Sequence, residues 1–189
     1  MSIVTRITIA DYDRMIAEGY FDAEEGPQRI ELIDGELCPM SPIGPLHDWL
    51  VDRLNRWSCR VTSEDVVAVR IQGCVEIRGL RSVPQPDVLW VRQGEYRTSR
   101  PTSSDALLIV EVAESSLAYD CGRKANKYAT GGVADYWVVN IPDECVEVFR
   151  QPENRRYRSR QVFKTPDTIH PLAFPEICLP VAELFPADA

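Results

Sequence analysis

The sequence predicts an α/β domain in which a mixed β-sheet is flanked by helices, with a helix and a β-hairpin at the N-terminal end. Three observations support this fold class. Residues 107–112 (LLIVEV) form a branched apolar run, broken once by Glu111, that is typical of a strand buried on both faces. Runs with strand periodicity lie before and after it, and a run with helical periodicity follows directly. Because no internal repeat or long linker interrupts residues 1–189, we expect a single domain.

The N-terminal third predicts a helix, a hairpin and a second helix. Thr8 and Asp11 form a variant of the capping box at the start of the first helix, and Gly19 ends it. The Asp34-Gly35 dipeptide lies between two short apolar runs, which is a strong hairpin signal. A stretch rich in proline and glycine then leads into the second helix. Helical spacing predicts that the buried stripe of this helix consists of Leu46, Trp49, Leu50, Leu54 and Trp57.

The rest of the chain predicts mainly strands. Residues 66–72 alternate between apolar and more polar side chains, and the segment CVEI after Gly73 bends or extends this strand. A helix over residues 116–130 ends at the Gly131-Gly132 pair. The remaining predicted elements are strands at 83–91 and 105–113, a hairpin of 135–141 and 144–150, a strand at 157–164 and a short helix at 180–185.

The charge and composition argue against several classes of protein. Twenty-one basic and 29 acidic residues give a net charge of −8, which disfavours a surface coated for non-specific nucleic-acid binding but leaves room for a local basic groove. The N-terminus has no basic segment followed by an apolar run, and no apolar stretch approaches the ~20 residues needed to span a bilayer. We therefore expect no membrane association and a cytoplasmic location.

Cysteine and histidine usage limits the possible metal chemistry. The six cysteines include no C-x-x-C pair, so we expect small buried thiols rather than disulfides or a zinc site. The only histidines are His47 and His170, which disfavours a histidine-rich metal site.

Two carboxylates occupy positions that suit a metal site. Asp87 follows Pro86 at the start of one predicted strand, and Glu111 lies late in the next. Neighbouring strands would bring both acids to one point, and Mg²⁺ binds through one or two carboxylates while it keeps several waters. The pattern P-D, a gap of 23 residues and E-V-A resembles the PD-(D/E)-x-K signature, with Ala113 in the place of the lysine. The alternative is a turn-capping Asp and a sheet-edge Glu.

The flanking segments carry a wider resemblance. IELIDGEL, the histidine at position 47, PDVLWV, LIVEVAESS, DCGRKANKYATGGVADYWVVNI and the proline-rich tail together resemble the Uma-two family, over about residues 7 to 186. That resemblance implies a restriction-endonuclease-like fold and an endonuclease that hydrolyses phosphodiester bonds of nucleic acid, with DNA the expected substrate and Mg²⁺ or Mn²⁺ the cofactor. It also implies a homodimer, since cutting both strands of a duplex is simplest with two sites related by a two-fold axis.

The resemblance assigns roles to four residues. Asp87 and Glu111 match the metal-binding acids of the family, and Lys124 in DCGRK matches a lysine that has migrated from the strand to the following helix. Glu31 in IELIDGE matches an upstream acid that assists at the metal site. The predicted catalytic set is therefore Asp87, Glu111, Lys124 and Glu31.

Helix geometry gives an independent reason to choose Lys124. At about 100° per residue, Lys124 lies on the flank of the helix face that is predicted to be buried, roughly 70° from its centre, whereas Lys127 lies roughly 130° away on the solvent side. A lysine at such an edge can project its ammonium into a cleft, where it would face Glu111. The predicted buried face consists of Leu117, Cys121, Ala125, Tyr128 and Ala129. The alternative is a lysine that pairs with any nearby acid.

Several other polar or aromatic residues have two interpretations. His47 would serve as a general base or a phosphate contact, but packing at the helix start is the simpler one. Gln72 would orient water or be an exposed strand amide. The tryptophans at 49, 57 and 137 are expected in the core rather than stacked on bases. The arginines at 155, 156, 158 and 160 would touch phosphate or form a solvated hairpin face.

Two other functions compete with a nuclease. One is a non-catalytic nucleic-acid-binding or regulatory module of the same fold, which the negative charge favours and the full set of acids disfavours. The other is a structural or partner-binding dimer in which Glu111 and Lys124 form a plain buried ion pair. A metal titration would distinguish a catalytic site from an ion pair.

Overall fold

A computed structural model describes residues 6–23, 26–27 and 29–186 of the chain. The elements are, in order, α1 (Ile9–Ala17), β1 (Asp22–Ala23), β2 (Gly26–Pro27), β3 (Ile30–Ile33), β4 (Glu36–Pro39), α2 (Pro45–Val61), β5 (Val67–Ile71), β6 (Val88–Arg92), β7 (Ala106–Ala113), α3 (Leu117–Tyr119), a π-helical turn (Asp120–Lys124), α4 (Ala125–Thr130), β8 (Asp135–Asn140), β9 (Cys145–Glu153), β10 (Arg156–Phe163), β11 (Thr168–Ile169), β12 (Leu179–Pro180) and a 3₁₀ turn (Val181–Glu183).

A six-stranded mixed sheet forms the centre of the fold. Its strand order is β10-β9-β8-β7-β6-β5, and every neighbouring pair is antiparallel except β7 and β8, which are parallel. The predicted α/β class with a mixed sheet is therefore confirmed, as is the prediction that the strands between residues 66 and 113 are neighbours. The parallel pair needs a crossover connection, and the helical segment from α3 to α4 supplies it.

Strand β7 sends alternate side chains to two different layers. Leu108, Val110 and Val112 face a core that contains Trp57, Trp90 and Trp137, α2 and the C-terminal segment; we call this side the tryptophan face. The other side, which we call the cavity face, carries Ile109, Glu111 and Ala113 and is covered by the helical segment from α3 to α4. The period of two along a strand produces this division.

The N-terminal helix and hairpin form as predicted. Thr8 caps α1 and makes a reciprocal capping box with Asp11. In the β3–β4 hairpin, Asp34 and Gly35 have φ values of 56° and 77°, which is the backbone that a two-residue primed turn requires. A Cβ at Gly35 would lie 2.9 Å from the carbonyl oxygen of Ile7, so this turn also needs glycine for space.

Helix α2 buries fewer residues of its predicted apolar stripe than the helical spacing indicated. Leu50, Leu54 and Trp57 are buried, but Leu46 is 48% exposed and Trp49 is 40% exposed. The prediction that Trp49 belongs to the core is wrong, whereas Trp57 and Trp137 are core residues. The first turn of α2 lies at the rim of a cavity instead of over the sheet, so its outer side chains remain partly exposed.

Three other features differ from the sequence-based expectation. Strand β5 ends at Ile71, and the CVEI segment makes only an isolated bridge at Glu76 instead of continuing the strand. The six cysteines are all free, as expected, but only Cys145 is buried. The helix after Glu111 contains a π-helical turn, which periodicity does not reveal.

Across the ranges that the structure describes, no helix is both long and apolar enough to cross a membrane.

Candidate active site

Two predicted acids meet where β6 begins and β7 ends. Asp87 directly precedes β6 and Glu111 lies in β7, and the pairing of Val88 with Val110 makes these strands direct neighbours. The Oδ2 atom of Asp87 accepts a hydrogen bond of 2.8 Å from the backbone N–H of Val112, so the carboxylate is held against the neighbouring strand. Both acids are buried, with exposures of 5% and 3%.

Lys124 brings a positive charge to these acids. Its Nζ atom lies 2.8 Å from Oε1 of Glu111, 3.1 Å from Oε1 of Glu31 and 4.0 Å from Oδ1 of Asp120. Lys124 ends the π-helical turn and is 4% exposed, so it lies deeper than the helix flank that we predicted. The wider π turn displaces residues from the regular helical rotation, and such turns often occur at functional sites.

Lys127 does not lie on the solvent side as predicted. Its Nζ atom is 2.7 Å from Oδ2 of Asp34, and only 13% of its side chain is exposed. The error arises because the β3–β4 hairpin covers this side of the helix, which the helical wheel does not show.

Glu31 reaches the same point from the N-terminal hairpin. It lies in β3, and its Oε1 atom accepts a 2.6 Å hydrogen bond from the backbone N–H of Gln85 in addition to its contact with Lys124. The hairpin is itself joined to the segment before β6, since the N–H of Val83 donates to the carbonyl oxygen of Leu32. The structure therefore brings together all four predicted site residues.

A cavity of about 370 Å³ contains this cluster. Its wall includes the segment before α2 and the turn after β7, and the predicted acids and Lys124 lie on its lining. The lining residues that carry charge or an imidazole are Arg29, Glu31, His47, Asp87, Glu111, Glu114, Asp120 and Lys124. Five carboxylates thus face two permanent cations, which makes the cavity anionic and receptive to a cation.

Three residues of the site were either not assigned to it from the sequence or were given another role. The Oδ2 atom of Asp87 is 3.3 Å from Nε2 of His47, so His47 belongs to the site and does not only pack at the helix start. The hydroxyl of Tyr128 donates a 2.8 Å hydrogen bond to Oε1 of Glu111. Asp120 is 4% exposed beside Lys124. Its position one helical turn before Lys124 was a usable signal, whereas the contact of Tyr128 depends on packing. Gln72 does not line the cavity.

The surplus of carboxylates shifts several pKa values. Burial raises the pKa of Glu111 well above its usual range, although Lys124 opposes this shift. Burial likewise raises the pKa of Asp120. For Lys124, burial lowers the pKa, but Glu111, Glu31 and Asp120 outweigh it and the net pKa is raised. A hydrogen bond to Asp87 raises the pKa of His47. One ammonium cannot neutralise several buried acids, so the cavity favours either protons or an added cation.

The carboxylates retain donor atoms that suit a divalent cation. Within the described part of the chain, the hydrogen bonds and ion pairs of Asp87 use Oδ2, and those of Glu111 and Glu31 use Oε1. The second oxygen of each carboxylate is therefore uncommitted. Among those described residues, no group of three or more His, Cys, Asp and Glu side chains is arranged to hold a metal ion. Mg²⁺ needs only one or two carboxylates, because water supplies its other ligands, and Asp87 and Glu111 fit that requirement.

The fold and this acidic, lysine-containing cavity define the class of restriction-endonuclease-like α/β proteins. The chain resembles a solved structure described as "a putative nuclease belonging to DUF820" from Anabaena variabilis, with a TM-score of 0.69 and 14% identity over 95% of this chain and 97% of that one. The chain belongs to the Uma2 family, whose model, described as "Putative restriction endonuclease", matches residues 9–182. A search of curated proteins finds no match to the sequence. The predicted family and fold are thus confirmed.

Proposed function

We propose that this protein is a metal-dependent endonuclease that hydrolyses phosphodiester bonds of nucleic acid, with DNA as its substrate and Mg²⁺ or Mn²⁺ as its cofactor. One observation carries the proposal: Asp87, Glu111, Glu31 and Lys124 come from separate elements and converge on one cavity. Membership of the Uma2 family supports the nuclease assignment.

The residues of the chain divide the chemistry between them. Asp87 and Glu111 would hold the divalent cation through their uncommitted oxygens, with Glu31 assisting from the hairpin. When bound, that cation would offset the negative charge of the phosphate and acidify a water molecule. Lys124 would orient the attacking water or neutralise charge that develops in the transition state, and a preorganised donor of this kind contributes about 10²- to 10³-fold to the rate.

Second contacts hold these groups in position. The N–H of Val112 fixes Asp87, and the hydroxyl of Tyr128 fixes Glu111, so neither acid is free to rotate away from the cavity. His47 touches Asp87 from α2 and would steady the same carboxylate. Such supporting contacts are expected at a metal site, where they set the orientation of the first ligands.

A cleavage assay with isosteric variants tests the proposal. Wild type, Asp87→Asn and Asp52→Asn would be incubated with supercoiled plasmid, single-stranded DNA and RNA in Mg²⁺, Mn²⁺ or EDTA. Asp52 is an exposed acid paired with Arg56 on α2, so its variant removes the same charge away from the cavity. We expect metal-dependent cleavage by wild type and Asp52→Asn, and a loss of about 10³-fold or more in Asp87→Asn. Equal rates in Asp87→Asn and wild type would contradict the proposal.

Lys124 needs a gentler variant than alanine. Because it lies between buried carboxylates, its removal leaves them uncompensated, and breaking a buried pair costs about 3–5 kcal/mol. The double variant Lys124→Met with Glu111→Gln removes one charge of each sign and tests the role of the pair with a smaller loss of stability. Circular dichroism would establish that it is folded before its cleavage is measured.

The buried ion pairs also favour a second candidate, a structural protein in which Lys124 simply neutralises Glu111 and Glu31. The two candidates differ in metal binding. Calorimetric titration with Mn²⁺ would show binding that Asp87→Asn abolishes if the site is catalytic, and no such binding if the cluster is structural.

The homodimer also belongs to this proposal. Two cavities related by a two-fold axis would cut both strands of a duplex. Light scattering at micromolar concentration should give about twice the chain mass of 21.4 kDa, and a mass equal to that of one chain would contradict the dimer.

A further inference from the structure

A second, basic cavity lies beside the helical segment that carries Lys124. Its volume is about 360 Å³, and it is lined by Arg123, Asn126, Lys127, Asn154, Arg155 and Arg156. Four of these six residues are cationic and the other two carry amides. Of the described residues that line it, none is acidic. This concentration of positive charge occurs in a chain whose net charge is −8.

The arginines between residues 155 and 160 differ in their ion pairs. Farther along β10, Arg158 pairs with Glu153 and Arg160 pairs with Glu147. Within the ranges that the structure describes, neither Arg155 nor Arg156 lies within ion-pair distance of a carboxylate, and both side chains are exposed. Among the described residues, the arginine run of the sequence thus divides into two arginines with a carboxylate partner and two without one.

Two residues at the tip of this hairpin, neither of them glycine, adopt a left-handed backbone conformation. Asn154 and Arg155 form the two-residue turn between β9 and β10, with φ values of 49° and 68°. A turn of this kind favours glycine at its second position, because a side chain in the left-handed region costs roughly 1–2 kcal/mol. Glycine at position 155 would therefore be less strained than arginine.

Arg123 and Lys127 form the opposite wall of the cavity, and both are oriented by acids of the β3–β4 turn. Arg123 lies 2.8 Å from Glu36 and 3.4 Å from Asp34, and Lys127 lies 2.7 Å from Asp34. These contacts fix the cations without placing an acid on the cavity lining. Guanidinium and amide groups that converge in this way are the donors that recognise phosphate oxygens.

From this arrangement we infer that the basic cavity binds a backbone phosphate of the nucleic acid that the first cavity cleaves, an inference that rests on the proposed function. The two sites share one helical segment, in which Arg123 and Lys127 flank Lys124 in sequence. A nucleic-acid strand held at Lys124 must continue across the neighbouring surface, and the basic cavity offers it cations where the rest of the chain is acidic. The contact reads charge and not base sequence, so it sets affinity rather than specificity.

Binding measurements without cleavage test this inference. Fluorescence anisotropy of a labelled 20-base-pair duplex would be recorded in EDTA for wild type, R155Q/R156Q and R56Q/R60Q. The last variant removes the same charge from exposed arginines of α2 that pair with Asp52 and Glu183. We expect R155Q/R156Q to weaken binding by at least roughly tenfold at about 0.1 M salt and to lower the slope of log K against log salt by about 1 to 2. R56Q/R60Q should bind within about twofold of wild type.

A single variant separates the arginine from the backbone strain. Arg155→Gly should raise the melting temperature by roughly 2–4 °C, because glycine adopts the left-handed conformation freely, while it weakens binding of the duplex. Unchanged duplex binding in this variant would overturn the inference.

The remaining outcomes distinguish this site from the proposed function. Duplex binding that is weakened equally in R155Q/R156Q and R56Q/R60Q, or that is absent in wild type, overturns the phosphate site. The function of the first cavity is then tested by the cleavage assay alone. A third outcome is duplex binding that depends on Arg155 and Arg156 without cleavage under any condition. This result would support the phosphate site and contradict the proposed hydrolysis of phosphodiester bonds. A rise in melting temperature of wild type alone in millimolar inorganic phosphate, with no duplex binding, identifies a free-phosphate site and overturns the nucleic-acid assignment.

Discussion

The two faces of β7 differ in what they bury. On the tryptophan face, Leu108, Val110 and Val112 pack into a layer where the rings of Trp57 and Trp90 stack with their centroids 5.1 Å apart. On the cavity face, the same strand buries Glu111 among other carboxylates and one lysine. The tryptophan face gains free energy from apolar area removed from water. The cavity face combines a second apolar cluster, which includes Ile109, Tyr128 and Tyr136, with the desolvation cost of charged groups.

This difference indicates how the protein remains folded although one cavity is lined by several buried charged residues. A buried carboxylate cluster does not stabilise a fold by itself, so the apolar packing on both faces must supply the stability that the cluster lacks. Conversely, the acids are of use only because the sheet holds them rigidly, as the hydrogen bond from the N–H of Val112 to Asp87 shows. The tryptophan face is thus expected to make the larger contribution to stability, and the charged cluster of the cavity face to govern function.

The largest expected effect is on the tryptophan face. Trp90→Ala removes a fully buried indole, which also donates a 2.8 Å hydrogen bond to Oγ of Ser58. We expect the free energy of unfolding to fall by about 3–5 kcal/mol, because the cavity left behind cannot collapse fully. Urea denaturation followed by circular dichroism measures this loss. A loss below about 1 kcal/mol would show that the tryptophan layer is not the main source of stability.

The next effect belongs to the cavity face and to metal binding. A divalent cation relieves the repulsion among the carboxylates, so Mn²⁺ at about 100 times its dissociation constant should stabilise the protein by about 2.7 kcal/mol. For a domain of this size, that corresponds to a rise in melting temperature of roughly 5–11 °C. Differential scanning fluorimetry with and without Mn²⁺ measures the rise. Asp87→Asn should remove it, and an equal rise in wild type and variant would place the metal elsewhere.

A smaller effect concerns the charge of Glu111. Its pKa is raised in the folded protein, so Glu111 binds more protons in the folded state than in the unfolded chain between the unfolded carboxyl pKa of about 4.3 and its folded pKa. Stability is therefore lost as the pH rises from about 4.3 through the folded pKa. Glu111→Gln removes this loss while it can still accept from Lys124 and Tyr128, and Glu31 continues to pair with Lys124.

We expect Glu111→Gln to be about 0.5–2 kcal/mol more stable than wild type at pH 8 in EDTA, with little difference at pH 4. Urea denaturation at the two pH values measures the difference in free energy of unfolding between the variant and wild type at each pH. A variant that is less stable than wild type at pH 8 would show that the Glu111–Lys124 pair stabilises the fold and would contradict the comparison of the two faces.

The smallest effect is expected at Trp49, which lies near the start of α2 and outside the apolar core. Its ring is 40% exposed and lies 5.1 Å from the guanidinium carbon of Arg53. Trp49→Ala should cost no more than about 1 kcal/mol, the value of an exposed cation–π contact. The same urea titration used for Trp90→Ala compares the two tryptophans directly. A cost of about 3 kcal/mol would show that the ring is covered in solution, as it would be at a dimer interface.

Local patterns were sufficient for most elements of the fold. The capping box at Thr8, the turn at Asp34-Gly35 and the strand β5 each depend on residues within a few positions of one another, and each of these elements is confirmed. The alternation predicted along β5 does not extend to its end, because Ile71 is 37% exposed. The division of β7 into two faces also follows from its sequence, because side chains alternate along every strand. That Asp87 and Glu111 lie close together was accessible because strands that follow one another in sequence often pair in a sheet.

By itself, the sequence determined the α/β class, the neighbouring strands that carry Asp87 and Glu111, and the presence of a lysine in the helix that follows. Only the tertiary structure decided that His47, Tyr128 and Asp120 join the site, that Trp49 is exposed, and that Lys127 pairs with Asp34. The physical reason is that periodicity is local information: it indicates which side of one helix or strand is apolar. The partner of a polar side chain depends instead on how elements that are distant in sequence pack against each other. The π-helical turn that carries Lys124 into the cavity also depends on this packing, because regular helical spacing contains no signal for it.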